Sequence, residues 1–230
     1  MKKLIFTNKS DVRLGFEIEC LIRGSEDSYS LSYQNYNNFK NAIRALKKNV
    51  QLGYDGSIVG RGTPVEIRTM PLPPKDSIIL LKELFDIVNK YGITNRSCGF
   101  HVNISSVRKT KMKNFNPIPF LSSKLWNEIL NKFGRTGNGY CKPLLRTPIR
   151  SMSKVRLLSK FTDAFEEKYS CVNLIHFNNG DDKSSRVEVR GFGNVDYSKK
   201  FDSIASYIKR IEKLFNFSCE SRPLFRVPNI

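Results

Sequence analysis

Cys98-Gly99-Phe100-His101-Val102-Asn103-Ile104-Ser105 reads as a β-strand with two unlike faces. With a period of two, His101, Asn103 and Ser105 share one face, and Phe100, Val102 and Ile104 the other. Cys98-Gly99 suits a tight entry, because backbone without a side chain tolerates close approach. His101 is one of two histidines in the 230-residue chain.

Three other stretches divide in the same way. In Gly15-Phe16-Glu17-Ile18-Glu19-Cys20 the two glutamates oppose Phe16, Ile18 and Cys20. In Pro64-Val65-Glu66-Ile67-Arg68-Thr69, Glu66 and Arg68 oppose Val65 and Ile67; in Arg186-Val187-Glu188-Val189-Arg190-Gly191, three ionic side chains oppose two valines. Stacked in one sheet, these strands would make a face of carboxylates, guanidinium groups and one imidazole. A plain solvated sheet face would also be ionic. Two details count against it. The chain is rich in lysine, yet none of the four ionic faces carries one. Glutamate is also depleted in strands unless something requires it there.

Between the strands the hydrophobic spacing turns helical. It predicts helices over Asn37 to Lys48, from a cap at Asp76 to Gly92 with Ile79, Leu80, Leu84, Ile87 and Val88 inward, over Ser122 to Phe133, over Phe161 to Tyr169, and over Ser198 to Phe215. A short strand is expected through Leu4-Ile5-Phe6, and one over Cys171 to His176 that turns at Asn178–Asp182 into the Glu188 strand as a hairpin. The sum is an α+β chain with a mostly antiparallel sheet and helices on its apolar face.

Length and mass, 230 residues and 26.5 kDa, suit one domain over 1–230 with a basic, irregular insertion at about 106–160. That insertion holds thirteen Lys or Arg residues against one acid, Glu128, and is broken by Pro117, Pro119, Pro143 and Pro148. The net charge of +18 calls for an anionic partner: nucleotide, nucleic acid or an acidic assembly surface. No apolar run reaches membrane-span length, and Leu4-Ile5-Phe6 is too short for a signal-peptide core, so a cytoplasmic protein without a membrane partner is expected. Five scattered cysteines without CxxC spacing are expected as thiols rather than as a zinc site.

The order Gly-Phe-Glu-Ile-Glu, Asp55-Gly56-Ser57, Val-Glu-Ile-Arg-Thr, Cys-Gly-Phe-His-Val-Asn, Lys168-Tyr169-x-x-Val172-Asn173-Leu174 and Val-Glu-Val-Arg resembles the amidoligase family. That family belongs to the carboxylate–amine ligase superfamily, with glutamine synthetase and glutamate–cysteine ligase. The resemblance covers roughly Leu14 to Gly193. It implies a curved, glutamine-synthetase-like catalytic sheet and ATP- and Mg2+-dependent amide formation through an acyl phosphate, from carboxylate and amine substrates. Carried over by motif, Glu17, Glu19, Glu66, His101 and Glu188 would be metal ligands. Glu188 and Arg190 would serve catalysis, with Arg190 contacting phosphate. Magnesium favours hard oxygen ligands and phosphoryl transfer needs positive charge, so the residue types suit that chemistry. Arg96, before the Cys-Gly turn, and Arg135 and Arg146, around Gly134–Gly139, are further candidates for the nucleotide; Asn173 could orient a ligand or sit in a strand-end turn, and His176 is read as structural or solvent-facing. The chain departs from the family pattern at two positions. Asn103 stands where a second histidine often follows, and Ser185-Arg186 stands where Gly-Thr usually leads into the late strand. A non-catalytic protein of the same fold, of phage type, using its basic segment for nucleic acid or assembly, is the alternative expectation.

Overall fold

Alternation of apolar and ionic residues makes the centre of this protein a sheet, and in the computed structural model it has seven strands among the described residues. Residues 5–24, 29–46, 50–139, 141–143, 169–177 and 184–220 are described, residues 29–32 by their backbone only. The strands are β1 (Val12–Ile22), β2 (Val50–Gly53), β3 (Thr63–Thr69), β4 (Gly92–Ile93), β5 (Gly99–Ser106), β6 (Val172–Asn173) and β7 (Val187–Gly193). Their order is β2-β3-β1-β5-β7-β6, with β4 paired to the end of β1, and every pairing between them is antiparallel.

The expected inward residues are the core: Phe16, Ile18, Cys20, Ile67, Phe100, Val102, Ile104, Val187 and Val189 are buried. Helices cover that face. They are α1 (Tyr29–Ala45), α2 (Pro74–Tyr91), α3 (Lys109–Lys113), α4 (Pro117–Leu121), α5 (Leu125–Lys132) and α6 (Phe201–Glu220), with a 3-10 turn at Tyr197–Lys199. Phe100 lies at the centre of the apolar layer, with the rings of Phe16, Phe85, Phe192 and Tyr197 all within 6 Å by centroid. Among the described residues no helix is long and apolar enough to cross a membrane.

Several local expectations need correction. Asp76 does not cap α2: Pro73 is the N-cap residue without a side-chain bond, Pro74 opens the helix, and Asp76 accepts a bond from Asn8 Nδ2 at 3.0 Å. Proline suits a first turn, whose N–H groups have no helical partner, and an acidic side chain is favoured there by the helix dipole. The buried stripe of α2 is Leu80, Leu81, Leu84, Phe85 and Val88, leaving Ile79 48% exposed. The first helix begins at Tyr29, not Asn37, and ends at Ala45. α5 is shorter than the expected Ser122–Phe133, and α6 runs on to Glu220. Ile5 and Phe6 are not in a strand, and the Cys171–His176 strand shrinks to Val172–Asn173.

The opening of the basic segment is not irregular either. Pro117 and Pro119 both fall in the first turn of α4, where a missing N–H costs nothing, and Asn116 Oδ1 accepts from Ile118 N at 3.0 Å to cap it. Residues 144–168, with nearly all of the helix expected from Phe161, and the hairpin turn at 178–182 lie outside the described residues.

Candidate functional site

Register brings the ionic faces together. Glu17 lies directly opposite His101 on one side and Arg68 on the other, Glu19 is opposite Glu66, and Glu188 is opposite both Asn103 and Asn173. The β5–β7 ladder shifts between Phe100 and Val102, which pair with Phe192 and Val189, so that Arg190 and Gly191 together face His101. Such a bulge resets the alternation. Glu188 and Arg190 stay on the ionic face, while Phe192 returns to the core.

The ionic side chains and Asn173 line one open pocket of about 720 Å³. Two groups of ligand-type atoms form in it, each mutually within 4.8 Å: Glu17, His101 and Glu188, and Glu19, Asp55 and Glu66. His101 stands between them. Its Nδ1 is 3.2 Å from Glu17 Oε2 and 3.3 Å from Glu188 Oε1, and its Nε2 is 3.7 Å from Glu19 Oε1. Glu19 Oε2 accepts the Gly99 N–H at 2.6 Å.

Burial alone would raise the Glu17 carboxyl, but His101, Asn103 and Arg186 together hold it at about 2, so it is ionised at neutral pH. Glu66 goes the other way. Burial raises its carboxyl above the usual range, the paired Arg68 guanidinium offsets part of that, and the negative charges of Glu17 and Glu19 add to it. Carboxylates that crowd one another in a buried place are the arrangement a bound cation relieves.

Around the carboxylates sit guanidinium groups. Arg190 Nη1 donates to Glu188 Oε1 at 2.7 Å, and its buried Nε has no hydrogen-bond partner. Arg135, a nucleotide candidate from sequence, lines the pocket from the Gly134–Gly139 loop. It is 2% exposed, donates from Nη1 to Cys98 O at 3.0 Å, and keeps a buried Nε without a partner. The loop itself is tied down by Asn194 Nδ2, which donates to Phe133 O and Gly134 O. Gly193, at φ 127°, lets Arg135 pass: a Cβ there would stand 2.5 Å from its Nη1 and from Cys98 O. Arg96 is exposed and does not line the pocket, and Arg146 lies outside the described residues.

Two asparagines complete the cluster. Asn173 Nδ2 donates to Glu188 Oε2 at 3.1 Å while its Oδ1 accepts Ile175 N at 2.8 Å, so it orients the carboxylate and closes a strand-end turn at once. Asn103 Nδ2 donates to Glu17 Oε1 at 2.9 Å. His176, read as structural or solvent-facing, is exposed at the pocket lining. Asp55 was not among the candidates from sequence. Asp-Gly is a turn signal, and Asp55 does accept Ser57 N at 2.8 Å, but the same turn carries its carboxylate to Glu19 and Glu66. Its place in the motif order was the available signal.

The donor set fits a hard divalent cation. One group is all carboxylate oxygen, the other is two carboxylates and an imidazole, and Arg190 and Arg135 bring positive charge to the same pocket.

No protein-family model and no curated protein matches the chain. Solved structures do match, among them the cryo-EM structure of Plasmodium falciparum glutamine synthetase, with a TM-score of 0.46 and 12% identity over 95% of this chain and 54% of that one. The chain thus spans about half the length of that protein.

Proposed function

We propose that this protein is an ATP- and Mg2+-dependent carboxylate–amine ligase of the amidoligase type, joining a carboxylate and an amine into an amide with release of ADP and phosphate. The observation that carries this reading is the pairing of two acidic groups, joined by His101, with inward arginines in one pocket. Bound together, ATP and magnesium would supply an activated phosphoryl group and the charge that offsets its oxygens. Glu17, His101 and Glu188 would hold one cation and Glu19, Asp55 and Glu66 another. Arg190 and Arg135, which line the pocket, would supply positive charge to phosphate oxygens. Glu188, fixed by Asn173 and Arg190, would keep one geometry as charge moves nearby.

Calorimetry of ATP binding with and without magnesium tests it, on the wild type, Glu17→Gln and Glu188→Gln. Magnesium-dependent binding that both substitutions abolish is the expected result. No ATP binding by folded wild type would overturn the ligase.

A second reading is favoured by the charge of +18, more than ATP requires: a nucleic-acid or acidic assembly partner for the basic segment. Arg108 and Lys109, at the start of α3, are exposed. Affinity for DNA or RNA that falls steeply with salt is its signature, and absence of binding at modest salt would sink it.

A further inference from the structure

The two positions at which the chain departs from the family pattern touch each other. Arg186 Nε donates to Asn103 Oδ1 at 3.1 Å, and Asn103 Nδ2 donates to Glu17 Oε1 at 2.9 Å. The β5–β7 pairing accounts for this. Asn103 is opposite Glu188, and Arg186, the residue just before β7, lies two positions from Glu188 and lines the same pocket.

The amide has one workable orientation. Turned over, its oxygen would face the Glu17 carboxylate and its NH2 the Arg186 guanidinium, acceptor against acceptor and donor against donor. Arg186 therefore determines which way Asn103 points. Asn103 in turn grips one oxygen of Glu17, while His101 Nδ1 stands 3.2 Å from the other. With both oxygens engaged, the plane of the carboxylate is set. A small residue at 186 would leave nothing to orient the amide.

We infer that Asn103 is a positioning residue which, held by Arg186, sets the Glu17 carboxylate for a divalent cation at the Glu17–His101–Glu188 group. The inference rests on reading the pocket as a cation site. It has a distinctive sign. Arg186 is a cation close to a cation site, so acting through space it would weaken metal binding, and its removal would strengthen it. Acting through Asn103, its removal would loosen Glu17 and weaken binding. Partners of this kind, behind a ligating group, typically change metal affinity by about 10–100-fold.

The test is titration with Mn2+ alone, free Mn2+ being read by electron paramagnetic resonance, on wild type, Asn103→Leu, Arg186→Met, Arg186→Lys and the double variant Asn103→Leu/Arg186→Met. Each of Asn103→Leu and Arg186→Met is expected to weaken Mn2+ binding about tenfold or more. The double variant should be no weaker than either alone, because both act on one linkage. Arg186→Lys, which keeps a donor, should recover part of the loss. Unfolding midpoints separate these effects from loss of fold. Arg186 is only partly buried, so Arg186→Met decides the matter even if Asn103→Leu does not fold. Affinity in Arg186→Met equal to or tighter than wild type overturns the inference. Absence of Mn2+ binding by the wild type overturns the cation site itself, and the inference with it.

Discussion

A methyl group at position 99 would stand 2.7 Å from His101 Nε2 and 3.1 Å from Glu19 Oε2. The missing side chain of Gly99 is thus what admits His101 between the two acidic groups, and the Gly99 N–H is also a donor to Glu19. Gly99→Ala is expected to displace the imidazole, costing about 1–3 kcal/mol in urea unfolding and weakening Mn2+ binding together. At this scale the ionic faces were legible, because a period of two needs no tertiary information. Glu17, Glu19, Glu66, His101, Glu188 and Arg190 all line the pocket. Asp55 and Arg135 were not legible in the same way. One is delivered by a turn and the other by an exposed loop that turns its arginine inward, and neither delivery leaves a periodic trace. Arg96, chosen for its nearness in sequence to the Cys-Gly entry, is exposed and stands away from the pocket lining.

Between elements, the 3-10 turn before α6 is fastened to the sheet from below. Tyr197 is fully buried, and its hydroxyl donates to Glu19 O at 2.7 Å. Tyr197→Phe keeps the ring packing against Phe85 and Phe100 and removes that bond alone. A loss of about 1–2 kcal/mol in chemical denaturation is expected, since a buried acceptor is left with one partner fewer. An unchanged midpoint would mean the bond contributes nothing net. The long helices and long strands could be read from hydrophobic spacing. The short elements could not: β2, β4, α3 and α4 are too brief for a period to show, and they exist because partners already in place accept them. The shift in the β5–β7 ladder does leave a trace, since Phe192 falls out of the alternation set by Glu188 and Arg190 and follows a glycine inside the strand.

Across the whole molecule the five cysteines are buried thiols outside any disulfide. Burial pushes Cys98 and Cys141 up to about 11 and Cys219 up to about 12, and Cys20 higher still. The native state therefore keeps protons that the unfolded chain releases near 9.0. Stability from this source is complete below that value and is lost as pH rises through the native values. The urea midpoint is expected to fall between about pH 9 and 11, less so in Cys219→Ala, and native protein should resist thiol reagents at pH 8 while denatured protein reacts at all five positions. A pH-independent midpoint would rule this out. The sheet order has a consequence in time as well. Tyr197 and Glu19, joined by one hydrogen bond, are 178 residues apart, and β7 must slot beside β5 before Glu188 and Arg190 meet His101. During synthesis from the N-terminus, β1, β3 and β5 emerge first and β5 waits with an open edge. The acidic pocket is therefore among the last things the growing chain completes, and a chain cut short before β7 would carry half a site on an unfinished sheet.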